Sequence, residues 1–381
     1  MDRTCRAGSG LSGKKKILLI VCLIVVALLV GYGILCGAAG RDVIYPHVTV
    51  ETVDLGGMTK EEAQAGYFTS RRISRTTLFF RSIFTFSDPS AILNLTKNKY
   101  RKGISPMQIN TVWAAYFSAT DTTKKVVTQI ARRLSQQLQC PMQTFDFTLK
   151  HVRRTPKAFA AGDLVVFGTP VYAGRVPNLL IKYVASVQGG GALAVPVVCY
   201  GNRNYDDALS ELRLTLTAGG FHPVAGAAFS CQHSFSLTQG AGRPDISDLT
   251  IATSFADQVY HKVEALPSAE ACPPLFVKGN DPVGPYYTPR DRHGNPINIL
   301  PVKPKTKDTC TQCGRCAKEC PLEAIDPADA HNIVGKCMKC NRCVRHCPKG
   351  AKYFDDPNYL YHKTELEEQY TWPRKEPELF L

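Results

Sequence analysis

Two stretches of this 381-residue chain, "CTQCGRCAKECP" at 310–321 and "CMKCNRCVRHCP" at 337–348, share the spacing C-x2-C-x2-C-x3-C-P. No other feature limits the fold so tightly. They hold eight of the fifteen cysteines, an array too dense for the separated partners of a disulfide framework. Clustered thiolates of this kind bind metal. Paired C-x2-C motifs also build zinc ribbons, but zinc closes with four ligands and asks for neither a third regularly spaced cysteine nor a trailing proline.

The spacing is similar to that of bacterial two-cluster ferredoxins, in which three close thiolates wrap three corners of a cube and the fourth ligand comes from the other run. The resemblance implies two [4Fe-4S] clusters. One would use Cys310, Cys313, Cys316 and Cys347, the other Cys337, Cys340, Cys343 and Cys320. Pro321 and Pro348 would stiffen the chain behind the donated cysteines, and Ile325 and Ile333 would pack on the clusters. The other cysteines, Cys5, Cys22, Cys36, Cys140, Cys199, Cys231 and Cys272, are scattered and read as packing or surface residues.

Upstream, "TVWAAYFSATDTTKKVVTQIARRL" reads as a strand over Val112 to Phe117, a hydroxyl-rich loop, and a helix with apolar positions at Val126, Val127, Ile130 and Leu134. Further strands are expected at 143–149, 164–168, 193–200 and 223–230, with helices at 176–187, 205–218 and 246–264. Alternating strands and helices imply an α/β fold with a doubly wound parallel sheet. The stretches "YFSATDTT", "FGTPVYAGRVP" and "CYGNRNYDDAL" resemble the loops of flavodoxin-like proteins, specifically a family in which such a domain is fused to a bacterial ferredoxin. That resemblance implies strand order 2-1-3-4-5 and FMN at the carboxyl ends of the strands. Its phosphate would lie against Ser118, Ala119, Thr120, Asp121, Thr122 and Thr123, with Thr169 and Tyr172 on one side of the ring and Gly201, Asn202 and Tyr205 on the other. Asp121 stands where the family loop has glycine, and its carboxylate would lie near a dianionic phosphate. A flavin-free docking domain therefore stays open as an alternative. His222, His233 and His261 are isolated in sequence and take no role.

At the other end, Ile17 to Leu35 carries no charge and as a helix would reach about 28 Å, the thickness of a bilayer's hydrocarbon. Residues 17–39 are expected to be a transmembrane helix rather than a cleaved signal peptide, whose apolar core is shorter. Lys14, Lys15 and Lys16 would keep the N-terminus cytoplasmic and send the rest outside. "VTVETVDLGGMTKEEAQA" is similar to the start of membrane-anchored peptidoglycan-binding-like repeats found beside VanW-type domains. Clusters and free thiolates suit a reducing compartment, so the two ends conflict. Either the chain joins two genes, with Met107 an original start and the redox part a soluble cytoplasmic protein, or a single-pass protein keeps its redox domains cytoplasmic by inverted topology. The triplet Asn94-Leu95-Thr96 reads as a chance match to a glycosylation site.

The organisation expected is a basic tail (1–16), the membrane helix (17–39), an unassigned stretch (40–106), the flavodoxin-like domain (107–265), a proline-rich linker (266–306), an α+β ferredoxin module (307–356) and a C-terminal tail (357–381). A net charge of +14 without a nucleic-acid-binding pattern points away from nucleic acid and towards acidic redox proteins as donor or acceptor. The expected function is electron transfer between FMN and the clusters, with no catalytic side chain. The alternatives are a flavin-free ferredoxin-type carrier and a membrane-anchored cell-envelope protein fused to a redox module.

Overall fold

The computed structural model describes residues 107–381 and the residue pairs 49–50 and 53–54. The chain divides into two compact units, Met1–Arg101 and Lys102–Leu381. In the first, Thr49–Val50 pairs antiparallel with Val53–Asp54. The readings of 1–16 and 17–39, most of the VanW-like stretch and the Asn94 triplet lie outside the described residues. Among the described residues no helix is long and apolar enough to cross a membrane.

The second unit opens with strand β1 (Thr111–Tyr116), helix α1 (Thr122–Leu138), β2 (Met142–Asp146) and β3 (Asp163–Pro170). There follow α2 (Ile181–Val184), β4 (Leu193–Tyr200), α3 (Ala208–Ala218), β5 (Gly226–Ser230) and α4 (Ile246–Glu264). Five strands run parallel in the order β2-β1-β3-β4-β5, the flavodoxin-like arrangement. Strand β1 shows why both faces must be covered. Val112, Ala114 and Tyr116 enter one core with α1 and α4, whereas Ala115 and Phe117 enter the other with α3. All eight residues of β4 are buried, so an unbroken apolar run folds as a central strand. Helix α1 buries Val126, Val127, Ile130, Ala131 and Leu134 at helical spacing, and its polar edge reaches α4 through Arg133 Nε to Asp257 Oδ1 at 2.6 Å. Asp245 and Asp248 form a capping box that starts α4 at its first residue.

Three expectations change. The helix over 176–187 shrinks to the single turn of α2. Its last residues make i to i+3 bonds, and Gln188 is drawn into extended pairing with Lys157 and Phe159, which ends the helix. The strand over 223–230 splits into His222–Pro223 and β5, because the register against β4 advances by one residue opposite Pro196, which has no N–H to offer. The segment 357–381 is not a loose tail. It forms helix α7 (Pro357–Tyr370) and strand β8 (Glu378–Phe380), and β8 pairs antiparallel with β5 as the sheet's edge.

Between them, the cysteine-rich module has an antiparallel pair, β6 (Lys305–Thr306) and β7 (Lys352–Tyr353), around the one-turn helices α5 (Arg315–Lys318) and α6 (Arg342–Arg345). Its halves repeat with an offset of 27 positions, Cys310 matching Cys337 and Cys320 matching Cys347. The backbone repeats as well. Gln312 and Lys339 are left-handed at φ 52° and 56°, Gly314 and Asn341 at 70° and 59°, and Glu323 and Gly350 at 53° and 56°. The segment 266–304 has almost no regular structure and lies along the α/β domain. Asp207 accepts from Asn280 N and Gly284 N at 2.9 and 2.7 Å, and Tyr286 donates to Val176 O at 3.0 Å.

Candidate functional site

The repeated left-handed turns serve the cysteines. With Gln312 and Lys339 turned back, their N–H groups donate to Cys310 Sγ at 3.4 Å and Cys337 Sγ at 3.3 Å. The second pair repeats this with Ala324 N to Cys320 Sγ at 3.3 Å and Ala351 N to Cys347 Sγ at 3.2 Å. Two small cavities result. Cys310, Cys313, Cys316 and Cys347 line one, and Cys320, Cys337, Cys340 and Cys343 line the other. Each run thus lends its last cysteine to the other run's cavity. Ile325 and Ile333, with Leu322 and Phe354, wall the second. Burial pushes the Cys340 thiol up to about 12 and raises Cys343 as well. For Cys347 burial acts in the same direction but is outweighed by backbone donors at 349–352, which hold it below the ordinary thiol value. Four sulfurs converging in each cavity, with backbone N–H groups aimed at them, fit a cluster whose sulfur charge such donors offset.

A third and much larger cavity, 1260 Å³, opens at the carboxyl ends of β1, β3, β4 and β5. Ala119, Thr120, Thr122, Thr123, Tyr172 and Gly201 line it, so three loops far apart in sequence converge there. The hydroxyls of Thr120, Thr122 and Thr123 stand at the start of α1, where the first N–H groups lack intrahelical partners and the helix dipole favours an anion. Gly201 is needed for space: a Cβ there would lie 2.1 Å from His233 Cδ2. The far wall comes from residues 286–303 and from Val334, Lys336, Cys337, Met338 and Lys339 of the cysteine-rich module. Cys337 therefore lines both this cavity and the second cysteine cavity. Tyr172 stands beside that boundary, its phenol held well above the ordinary value by burial and further by Cys340 and Cys337.

Five of the residues expected around the flavin lie outside this lining. Ser118 Oγ accepts from Lys124 N at 3.0 Å and so is spent inside its own loop. Asp121, left-handed at φ 64°, faces the cysteine-rich module. Thr169 is fully buried at the end of β3 with Oγ1 unpartnered. Asn202 binds the C-terminal segment: Nδ2 donates to Tyr370 O at 2.7 Å and Pro373 O at 3.0 Å, while Oδ1 accepts from Lys375 N at 3.0 Å and Ser230 Oγ at 2.9 Å. Tyr205 is buried in the core.

Conversely, residues with no assigned role line the cavity. His233 and His362 face it, both kept neutral chiefly by burial, His233 down to about 3 with His362 and then Arg203 and Arg345 acting in the same direction, and His362 to about 4 with Arg203 adding to burial. Phe235 N donates to His233 Nδ1 at 3.1 Å, which places the ring proton on Nε2. Cys199 and Cys231, at the ends of neighbouring strands, line it too. A lone histidine in a loop gives no sign in sequence of which cavity it will meet.

Residues 309–352 match the sequence profile of the 4Fe-4S dicluster domain. A comparison with curated proteins gives no match. Among solved structures, an archaeal flavodoxin is 16% identical over 40% of this chain and 98% of its own, with a TM-score of 0.28. The flavodoxin of Streptococcus pneumonia TIGR4 is 14% identical over 40% and 99%, at 0.28. A Fusobacterium nucleatum flavodoxin variant bound to flavin mononucleotide is 14% identical over 43% and 96%, at 0.26. At such scores they add nothing to the topology read from the strands themselves. The profile match and the two cysteine quartets make 309–352 a [4Fe-4S]-binding, electron-transferring module.

Proposed function

We propose that the chain holds FMN in the 1260 Å³ cavity and one [4Fe-4S] cluster in each cysteine quartet, and passes electrons among the three. The observation that carries this reading is Cys337. One side chain walls the cavity at the strand ends and belongs to the second quartet, so the two sites adjoin without any domain movement. A bound flavin exchanges two electrons where each cluster exchanges one.

The chain's own residues bind, orient and insulate. The start of α1 with Thr120, Thr122 and Thr123 receives the phosphate. Tyr172 and Gly201 flank the ring, and residues 286–303 cover it. No side chain acts as acid or base towards an organic substrate. At the first quartet Cys313 is exposed, and Arg315 and Lys349 line the same cavity. This edge is the port for an acidic redox protein, donor or acceptor, whose approach the positive charge favours.

Anaerobic purification of the full chain, followed by FMN, iron and sulfide analysis, tests the reading. About one FMN and about eight irons per chain are expected from one flavin site and two four-iron clusters. A reconstituted chain that retains no FMN defeats the flavin assignment.

A further inference from the structure

Arg315 and Arg342 occupy equivalent places in the two halves of the cysteine-rich module, but they are used differently. Arg315 is exposed and pairs within its own helical turn, Nε to Glu319 Oε1 at 2.8 Å. Arg342 instead leaves its module. Its Nη1 donates to the carbonyl oxygens of Ala119 at 2.9 Å and Ser118 at 3.3 Å, both in the loop before α1. The same nitrogen lies 3.9 Å from Asp121 Oδ1. Its Nε, 3.4 Å from Glu319 Oε2 but outside hydrogen-bond geometry, has no hydrogen-bond partner. His346 Nε2 lies 3.4 Å from the other Asp121 oxygen, and its Nδ1 contacts Glu319 Oε2 at 2.5 Å.

Two consequences follow for the cavity. A trans peptide holds each N–H opposite the preceding C=O. By drawing the Ser118 and Ala119 carbonyls to itself, Arg342 turns the N–H groups of Ala119 and Thr120 the other way, and both of these residues line the cavity. The second consequence concerns charge. Asp121 lies between Thr120 and Thr122 of the cavity lining, and the guanidinium stands 3.9 Å from its carboxylate, where it offsets a negative charge that would repel an anion at the start of α1.

We infer that Arg342 is a positioning residue for FMN: the 4Fe-4S module lends it to the neighbouring domain to hold the phosphate loop and to offset Asp121. This rests on the reading of the cavity as an FMN site. Asp121 and Arg342 then act as a pair, the acidic side chain of the loop facing a cation from the 4Fe-4S module.

The test is a double-mutant cycle on the full chain, with FMN affinity read from quenching of flavin fluorescence at matched iron and sulfide content. Arg342→Gln is expected to weaken FMN binding at least tenfold. Adding Asp121→Gly should recover at least threefold of that loss, a rescue that a merely structural defect would not show. Asp121→Gly alone should change affinity by less than it does in the Arg342→Gln background. FMN binding by Arg342→Gln within twofold of the unaltered chain overturns the inference, as does absence of rescue. If Arg342→Gln takes up less iron, Arg342→Lys carries the test, with a loss of at least threefold expected and unchanged affinity again overturning it. An unaltered chain that binds no FMN refutes the underlying site assignment, a result distinct from any of these.

Discussion

The Tyr205 hydroxyl donates to Glu378 Oε2 at 2.7 Å, joining a fully buried aromatic of the α/β core to the last strand of the sheet. Lys278 Nζ reaches the same carboxylate at 3.2 Å, and Asn202 grips the chain just before it. Arg374 extends the anchorage, with Nη1 2.6 Å from Asp245 Oδ2 and Nη2 3.1 Å from the fully buried Asp248. Residues that a flavin reading would spend on the ring are thus spent on closing the fold.

Removing that grip should destabilise the α/β domain. Asn202→Ala strips partners from the carbonyls of Tyr370 and Pro373, from Lys375 N and from the buried Ser230 hydroxyl, and a cost of about 2–4 kcal/mol is expected for losing four hydrogen bonds, three part-buried and one buried. Tyr205→Phe should cost less, about 1–2 kcal/mol, because Glu378 keeps Lys278. Denaturant unfolding midpoints check both, and a cost for Asn202→Ala no greater than for Tyr205→Phe would contradict the assignment.

The interleaving of the two quartets predicts which substitutions look alike. Cys347→Ser and Cys310→Ser should leave one and the same residual cluster, and Cys320→Ser and Cys337→Ser the other. Iron should fall from about eight to about four per chain in each case. Paramagnetic resonance of the dithionite-reduced proteins distinguishes the two classes. A Cys347→Ser spectrum matching that of Cys337→Ser would show the ligands sorted by run instead.

Acid should loosen the protein before its carboxylates titrate. His233 and His362 are held at about 3 and about 4 by burial, whereas an unfolded histidine titrates near ~6.5. Between those values the unfolded chain binds protons that the folded one refuses. Stability therefore falls as pH drops from about 6.5 towards 4, by at most ~1.4 kcal/mol per pH unit for each histidine. His233→Gln should flatten the slope over that window, and an unchanged slope would show that the ring is not held neutral.

Gly201 meets His233 so closely that a side chain there must displace the ring. Gly201→Ala is expected to cost about 1–3 kcal/mol. Because both residues line the large cavity, the same substitution should weaken ligand binding in it, measured by flavin fluorescence. Wild-type values for both quantities would rule out the contact.

Much of the sheet was legible in the chain because parallel strands buried on both faces appear as unbroken apolar runs, as in "LAVPVVCY". Helix α4 was legible at both ends, its start marked by the acidic cap at Asp245. The region 176–187 misled for an equally physical reason. Val176, Leu180, Val184 and Val187 sit at helical spacing, but tertiary pairing at Gln188 overrides the pattern. Strand β8 is three residues long behind the charged run at 374–376, too short to announce itself, and forms against the edge of β5. The same holds for the site. Thr120, Thr122, Tyr172 and Gly201 could be placed from their loops, whereas the partners of Asn202 lie nearly 170 positions away, at Tyr370 and Pro373. No local pattern announces such a pairing, nor does the repeat tell Arg342 from Arg315.

Strand β8 also fixes how the cysteine-rich lobe is attached. The polypeptide leaves the large sheet, builds that lobe, and comes back to add a final rung to the same ladder, so the lobe hangs from two points rather than dangling from one. A pendulum on a single string can swing; a hammock cannot turn round. The boundary at Cys337, between the strand ends and the second quartet, is accordingly held by chain on both sides.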